Sequence, residues 1–329
     1  MKKIALFFIA GLLATLLFEL FLRFSPFGYG VSPAVYDKAL GQWHKKNFSS
    51  IEKGACFQTR YYLDEHGLVK NNYTYDPQKP DIILLGDSYL ENFKVKNQNL
   101  MHNILHRLYN GKYNFLNYGY SGTSAVQQYM ILKTKADLSH TKAVIQFVKP
   151  ETDIFEVDPQ NFDATMRPKV FLDFQDLDHF TIIPPKPYTA KERIRDLLGN
   201  LELYTFARKG IYVLRQKISG DANSSTPYKV REGADFTKNW LQLNGALYQT
   251  AKLLQKRHID YRIIIAGSDA TYKNKLKQFL KKQHIPFYDL RKMAAKHHMK
   301  IESFPCDKHW NDNAHQTIAG LIRLEGIVR

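Results

Sequence analysis

Apolar positions fall into a few distinct patterns along the chain. Behind Lys2 and Lys3 the residues from Ile4 to Phe18 are largely apolar, and Leu20, Phe21 and Leu22 continue the run up to Arg23, with Glu19 its only charge. A helix of about 20 such residues, rising about 1.5 Å each, covers a bilayer core of about 30 Å. The segment therefore predicts a span at residues 4–24, inside an anchor covering 1–26. Its lysine pair favours a cytoplasmic N-terminus, and the run ends in FELFLRFSPFG instead of a small-residue cleavage pattern, so an uncleaved anchor is expected.

Residues 27–79 are polar and rich in turn formers, as in FSPFGYG and NNYTYDPQKP, and predict a linker and lead-in. From residue 80 the pattern changes. Ile82 to Leu85 form an unbroken aliphatic run that Gly86 stops, as in a strand buried on both faces. Glu91 to Tyr109 read as a loop and then a helix with Leu100, Ile104, Leu105 and Leu108 at helical spacing. A short strand at Phe115 and Leu116, a helix beginning in SAVQQYMIL (124–132) and a strand AVIQFV (143–148) follow. This β-α-β-α-β order predicts a mainly parallel sheet with helices on both faces, a three-layer α/β/α sandwich occupying 80–329.

The rhythm breaks at about 155–235, read as an insertion or cap. That region holds a predicted hairpin (KVFLDF and HFTIIPP), an amphipathic stretch RIRDLLGNLELYTFARKGIYVLRQ, and a loop SGDANSSTP (219–227) of disorder-like composition. Alternation then resumes with a helix at 238–257, strand YRIIIAG (261–267), a helix at 271–283, a strand in IPFYDL and a last helix at 316–328. Lys273, Lys277 and Lys281 line one face of the 271–283 helix, which is expected to be solvated.

Composition narrows the partners. The chain carries 47 Lys and Arg against 31 Asp and Glu, a formal charge of +16 that favours acidic surfaces such as phospholipid headgroups or anionic glycans. It contains no zinc-finger spacing, RNA-binding aromatic motif or basic heptad, so no nucleic-acid partner is expected. If the anchor is oriented as its lysines suggest, the rest of the chain lies outside the cytoplasm, where disulfides persist. Only Cys56 and Cys306 are available, either as one bridge or as two buried thiols.

Two segments carry the candidate chemistry. Gly86-Asp87-Ser88 sits where a hydrophobic strand ends, at the carboxyl edge where α/β folds place their ligands. A serine hydroxyl needs a base to attack an ester, and histidine titrates near neutrality. Asp307-Lys308-His309 supplies a base with a carboxylate that can orient it, from the loop before the last helix. NYGYSGTS (117–124) and KPETD (149–153) end two further strands on the same edge. Asp307, His309, His315 and His297 or His298 are of types that bind zinc, but their spacing fits no common pattern. Neither a metal nor a cofactor is expected.

These blocks resemble those of the SGNH or GDSL hydrolase family in its membrane-anchored bacterial envelope form. The resemblance rests on LLGDSYLENFKV (84–95), NYGYSG (117–122) and DKHWNDNAHQTIA (307–319), runs from about residue 65 to the C-terminus, and is weakest at 155–235. It implies an SGNH/flavodoxin-like sandwich with Ser88 as nucleophile, His309 as general base and Asp307 as its partner. It also implies oxyanion donors at the Ser88 N–H and at Gly122, with Gly119 the second choice. Where the family carries Gly-Asn-Asp, this chain has Glu151-Thr152-Asp153, which puts Thr152 in the place of the asparagine and leaves Asn92 or Asn311 as substitutes. The implied function is a serine esterase acting on acyl, chiefly O-acetyl, esters of an envelope polysaccharide or glycolipid from the periplasmic side of the inner membrane. The alternatives are an O-acetyltransferase using the same triad, or a catalytically degraded glycan-binding or assembly protein.

Overall fold

The computed structural model describes residues 2–25, 27–159, 168–219 and 236–328. It opens with α1 (Lys2–Phe24), whose side chains are almost all exposed, apart from Glu19 and Leu22. Two antiparallel hairpins follow, β1 (Ala34–Asp37) with β2 (Gly41–His44), and β3 (Phe48–Lys53) with β4 (Gln58–Leu63). The 27–79 stretch expected as a linker is thus built structure. Its strands are only four to six residues long, too short for a periodic run, and they bury Trp43, His44, Tyr61 and Leu63. Trp43 Nε1 donates to the His66 carbonyl at 3.0 Å, and Val69 bridges both to Leu63 and to Asn117 at the edge of the main sheet.

The main sheet is formed by β5 (Asp81–Leu85), β6 (Asn114–Asn117) and β7 (Thr141–Val148), later joined by two further strands. Between β5 and β6 lie the short α2 (Ser88–Glu91) and α3 (Met101–Leu108), and between β6 and β7 lies α4 (Ala125–Thr134). After β7 come α5 (Pro150–Glu156), the hairpin β8 (Phe171–Phe174) and β9 (Phe180–Ile183), then α6 (Ala190–Leu198) and α7 (Glu202–Ser219). The hairpin predicted from KVFLDF and HFTIIPP is present. The predicted SGDANSSTP loop lies outside the described residues, except for Ser219. The remaining elements are α8 (Phe236–Gln255), β10 (Asp260–Ile265), α9 (Ala270–Lys282), β11 (Phe287–Asp289), α10 (Leu290–Lys296) and α11 (Asp312–Leu324).

The strand order is β11-β10-β7-β5-β6, and every neighbouring pair in it is parallel. Successive side chains of a strand point to opposite faces, which explains the unbroken aliphatic runs. Ile83, Leu85, Val144, Ile263 and Ile265 meet apolar residues of α4, α8 and α9 on one side. Ile82, Leu84, Ile145 and Ile264 meet those of α3, α10 and α11 on the other. The chain is therefore a three-layer α/β/α sandwich, with the carboxyl ends of β5, β6 and β7 at one edge.

Two local expectations shift. The last helix begins at Asp312, four residues before the predicted start, because the Asn311 side chain caps it by accepting from the Ala314 N–H at 3.0 Å. Lys273 and Lys277 do not form a solvated face; both reach back to Asp289 at the end of β11.

Candidate active site

β5 ends at Leu85, and Asp87 caps the turn that follows, its carboxylate accepting from the Tyr89 N–H at 2.9 Å. This starts α2 at Ser88 and leaves the serine half-buried at the carboxyl edge. The loop before α11 approaches from the far end of the chain. His309 Nε2 lies 2.8 Å from Ser88 Oγ, and its Nδ1 is hydrogen-bonded to Asp307 Oδ1, which also accepts from the His309 backbone N–H at 2.8 Å. Serine, imidazole and carboxylate thus stand in line across 221 residues of sequence. The ring of Tyr89 stacks on that of His309 at 4.7 Å, and Lys149 Nζ donates to the Tyr89 hydroxyl at 2.8 Å.

A third element reaches the pair. Lys94 Nζ lies 2.8 Å from His309 Nδ1 and 3.4 Å from Asp307 Oδ2. An ammonium only donates, so Nδ1 cannot face Lys94 and donate to Asp307 at the same time. The tautomer that leaves Nε2 free to take the serine proton carries its hydrogen on Nδ1, bonded to Asp307, with Lys94 then paired to the other carboxylate oxygen. Burial pushes the His309 imidazole below its ordinary range and Lys94 adds to that, against the upward pull of Asp307. Burial would raise the Asp307 carboxyl, yet hydrogen bonds from the His309 backbone and ring, with the charges of His309 and Lys94, hold it below the usual carboxylate range.

The loop at 117–124 supplies the glycines. Gly119 lies so close to α2 that a Cβ there would stand 2.4 Å from the Glu91 nitrogen, and its N–H is spent on Asn117 Oδ1 at 2.8 Å. Gly122 has φ +71°, a left-handed conformation that favours glycine. Neither its N–H nor that of Ser88 makes a hydrogen bond among the described residues. Of the two glycines, Gly122 is therefore the one with a donor to offer. Its carbonyl accepts from Lys169, whose ammonium is lowered to about 8 by burial.

The Thr152 hydroxyl is engaged by the backbone of its own turn. Thr152 sits in the first turn of α5 and its hydroxyl donates to the Lys149 carbonyl at 3.0 Å, because a threonine one turn into a helix bonds back to the preceding backbone. Asn92 is committed elsewhere, its Nδ2 lying 2.7 Å from the Trp310 carbonyl and 2.8 Å from His315 Nε2. Asn311 is the cap of α11. His315 is fully buried, held neutral by burial that lowers it to about 3, and accepts from the Met101 N–H. His297 pairs with Glu325, away from the serine. Among the described residues no group of three or more potential ligands could hold a metal ion.

The serine opens into a cleft of about 300 Å³ lined by Gln42, His44, Glu52, Lys94, Tyr120 and Ser121, among others. Sequence reasoning missed these contributions. Glu91 accepts from His44 Nε2 at 2.7 Å and from the Ser121 N–H at 3.1 Å, and so ties α2, the β1–β2 hairpin and the 117–124 loop together. Gln42 is the one lining carboxamide whose side chain makes no hydrogen bond among the described residues. Glu91 and Lys94 lie within the LLGDSYLENFKV block and could have been flagged there. Nothing in the pattern around Gln42 or His44 marks them. Cys56, in the β3–β4 turn, is bonded to Cys306, the residue before Asp307.

No protein-family model and no curated protein matches the chain. Among solved structures it is similar to a lipolytic G-D-S-L family member from Veillonella parvula, at 12% identity over 74% of this chain and 96% of that one, with a TM-score of 0.38. The chain resembles GDSL-type esterases. It is also similar to the acetyl xylan esterase AlAXEase, at 12% identity over 74% and 98% of the two chains with a TM-score of 0.39. A third is the psychrotrophic esterase EstA from Pseudoalteromonas sp., at 10% identity over 74% and 95% with a TM-score of 0.39. Likeness this distant transfers no residue roles, so the reading of the site rests on its own geometry.

Proposed function

We propose that the chain is a membrane-anchored serine ester hydrolase of the SGNH/GDSL type, acting on acyl, chiefly O-acetyl, esters of an envelope glycan or glycolipid. The observation that carries this reading is the 2.8 Å contact between Ser88 Oγ and His309 Nε2, with Asp307 on the opposite ring nitrogen. In the proposed reaction Ser88 Oγ attacks the acyl carbonyl while its proton passes to His309 Nε2. The N–H groups of Ser88 and Gly122 face the developing oxyanion. His309 returns the proton to the departing sugar hydroxyl, leaving an acyl-serine. Water, deprotonated by the same ring, then releases the acid and restores the serine. The complete proton relay favours this over a binding protein that has lost catalysis.

The membrane and compartment parts of the proposal have their own support. α1 is 23 residues long with a mean hydropathy of 2.4 in its most apolar window, and the Cys56–Cys306 bridge suits an oxidising compartment. To test the function, the full-length chain in nanodiscs is assayed with an aryl acetate and with an O-acetylated polysaccharide, with and without sugar acceptors. Acetate release from both is expected. Acetyl transfer to the acceptor without hydrolysis would replace this reading with the transferase one, and no turnover of either ester would remove it.

Further outcomes follow from the geometry. The rate should fall as pH drops through the pKa of His309, since a protonated ring cannot accept the serine proton. Because burial and Lys94 lower that pKa, activity should persist to pH below the ordinary histidine value of about 6.5. In Lys94→Met the lost positive charge lets the pKa rise, so the acid limb of the kcat/KM profile should move to higher pH; an unmoved limb would show that Lys94 does not act on the ring. Gln42, whose carboxamide is unbonded among the described residues in the wall of the serine cleft, is the side chain we assign as a third oxyanion donor, so Gln42→Ala should lower kcat by about 10²- to 10³-fold with little change in KM, the cost typical of a missing donor. Thr152→Val, by contrast, should leave kcat close to that of the parent.

A further inference from the structure

α1 is not a free tether. Glu19, the single charge inside its apolar run, is buried against the start of α7 and accepts from the backbone N–H groups of Glu202 at 3.0 Å and Leu203 at 2.8 Å. Arg23 pairs with Glu19 at 2.7 Å and donates to the Asn200 carbonyl at 2.5 Å. Phe206 of α7 meets Phe18 edge-on at 6.4 Å and Tyr29 at 6.0 Å. On the other side of the same corner, Glu202 accepts from the N–H groups of Tyr29 and Gly30. The end of the membrane helix and the start of α7 are therefore one packed unit.

This joint fixes a height. A 23-residue helix is about 34 Å long, so its last turns lie at the boundary between acyl chains and headgroups. The start of α7 is bonded to those turns, and α6 with the α6–α7 turn adjoins it. Six large apolar side chains are exposed between residues 194 and 211: Ile194, Leu197, Leu198, Leu201, Phe206 and Ile211. Leu197 is 70% exposed and Ile194 58%. Arg193, Arg195 and Arg208 are interspersed among them. An apolar surface with long basic side chains matches a helix lying in the plane of an anionic bilayer, where the arginines reach the headgroups and the apolar residues enter the acyl boundary.

We propose that α6 and the first half of α7 are seated in the headgroup layer of the bilayer that α1 crosses. This rests on the anchor reading above and deepens it, because it sets where substrate enters. A second cleft of about 570 Å³, lined by Tyr29, Tyr204, Arg195 and Arg208 from this corner, shares Gln42 and Ser121 with the cleft of Ser88. The passage to the nucleophile thus begins at the membrane surface.

Tryptophan quenching separates the parts of this proposal. The full-length chain bearing Leu197→Trp or Phe8→Trp is placed in nanodiscs of phosphatidylglycerol and phosphatidylethanolamine, with or without bromine high on the acyl chains. The native Trp43, Trp240 and Trp310 are buried and give the background. The fluorescence added by either substitution is expected to be more than halved by brominated lipid. Quenching at Phe8→Trp with none at Leu197→Trp would overturn the seating of α6 while leaving the anchor intact. Absence of quenching at both would remove the anchor reading and this proposal with it.

Discussion

Ser88→Ala should lower ester hydrolysis by on the order of 10⁴- to 10⁶-fold, the range expected when the nucleophile of a serine triad is removed and only binding and oxyanion stabilisation remain. The substitution deletes one half-buried oxygen, so the fold should be unaffected, and thermal unfolding of the two proteins should coincide. His309→Ala should cost a similar factor. Asp307→Asn should lower kcat by about 10⁴-fold, because a carboxamide lets the ring settle with its proton on the wrong nitrogen. The effects should not add: the three groups pass one proton along one line, and a double variant of Ser88 and His309 should be no slower than either alone. The decisive measurement is steady-state turnover of an aryl acetate, accompanied by labelling with a fluorophosphonate, which should mark the parent chain and not Ser88→Ala. Comparable rates in parent and variant would show that the serine is not the nucleophile.

The central sheet was legible because each strand is buried on both faces, which writes it as an aliphatic run such as Ile82–Leu85. Ser88 was legible because it opens α2 just after β5, and Asp307 and His309 because a carboxylate and an imidazole stand two residues apart in the loop before the last helix. The walls of the cleft were not. Gln42 and His44 sit on a four-residue strand with no periodic signal, and long-range contacts such as His44–Glu91 bring them to the serine. Lys94 stands in the same block as Ser88, but a lysine there carries no mark of the contact it makes with His309 in the folded chain. Thr152 matches the family asparagine only by its place in a strand-end motif, and its local bond back to the Lys149 carbonyl follows from the helix that starts there. Glu19 reads as a flaw in an apolar run until α7 is present to receive it.

Removing the Cys56–Cys306 bridge should be the most destabilising change outside the core. The bridge closes a loop of 250 residues, and cross-links of this kind stabilise mainly by restricting the unfolded chain, with typical losses of about 2–5 kcal/mol. Cys56→Ser with Cys306→Ser should therefore lower the denaturant midpoint clearly, with the slope of the transition rising as the unfolded chain expands. Catalysis should suffer separately. Cys306 precedes Asp307, Phe304 packs on Phe57 at 5.2 Å, and Lys94 lies over the Phe57 ring at 5.9 Å. The β3–β4 turn thus braces both the carboxylate and the cation that face His309. With the bridge gone, Asp307 should hold the imidazole less firmly, and kcat should fall under conditions where the chain is still fully folded, while KM for a small aryl ester changes little. A variant that lost stability but kept kcat would show that the bridge serves the fold alone. One that lost kcat in proportion to the fraction unfolded would mean that the triad loop holds its geometry without it.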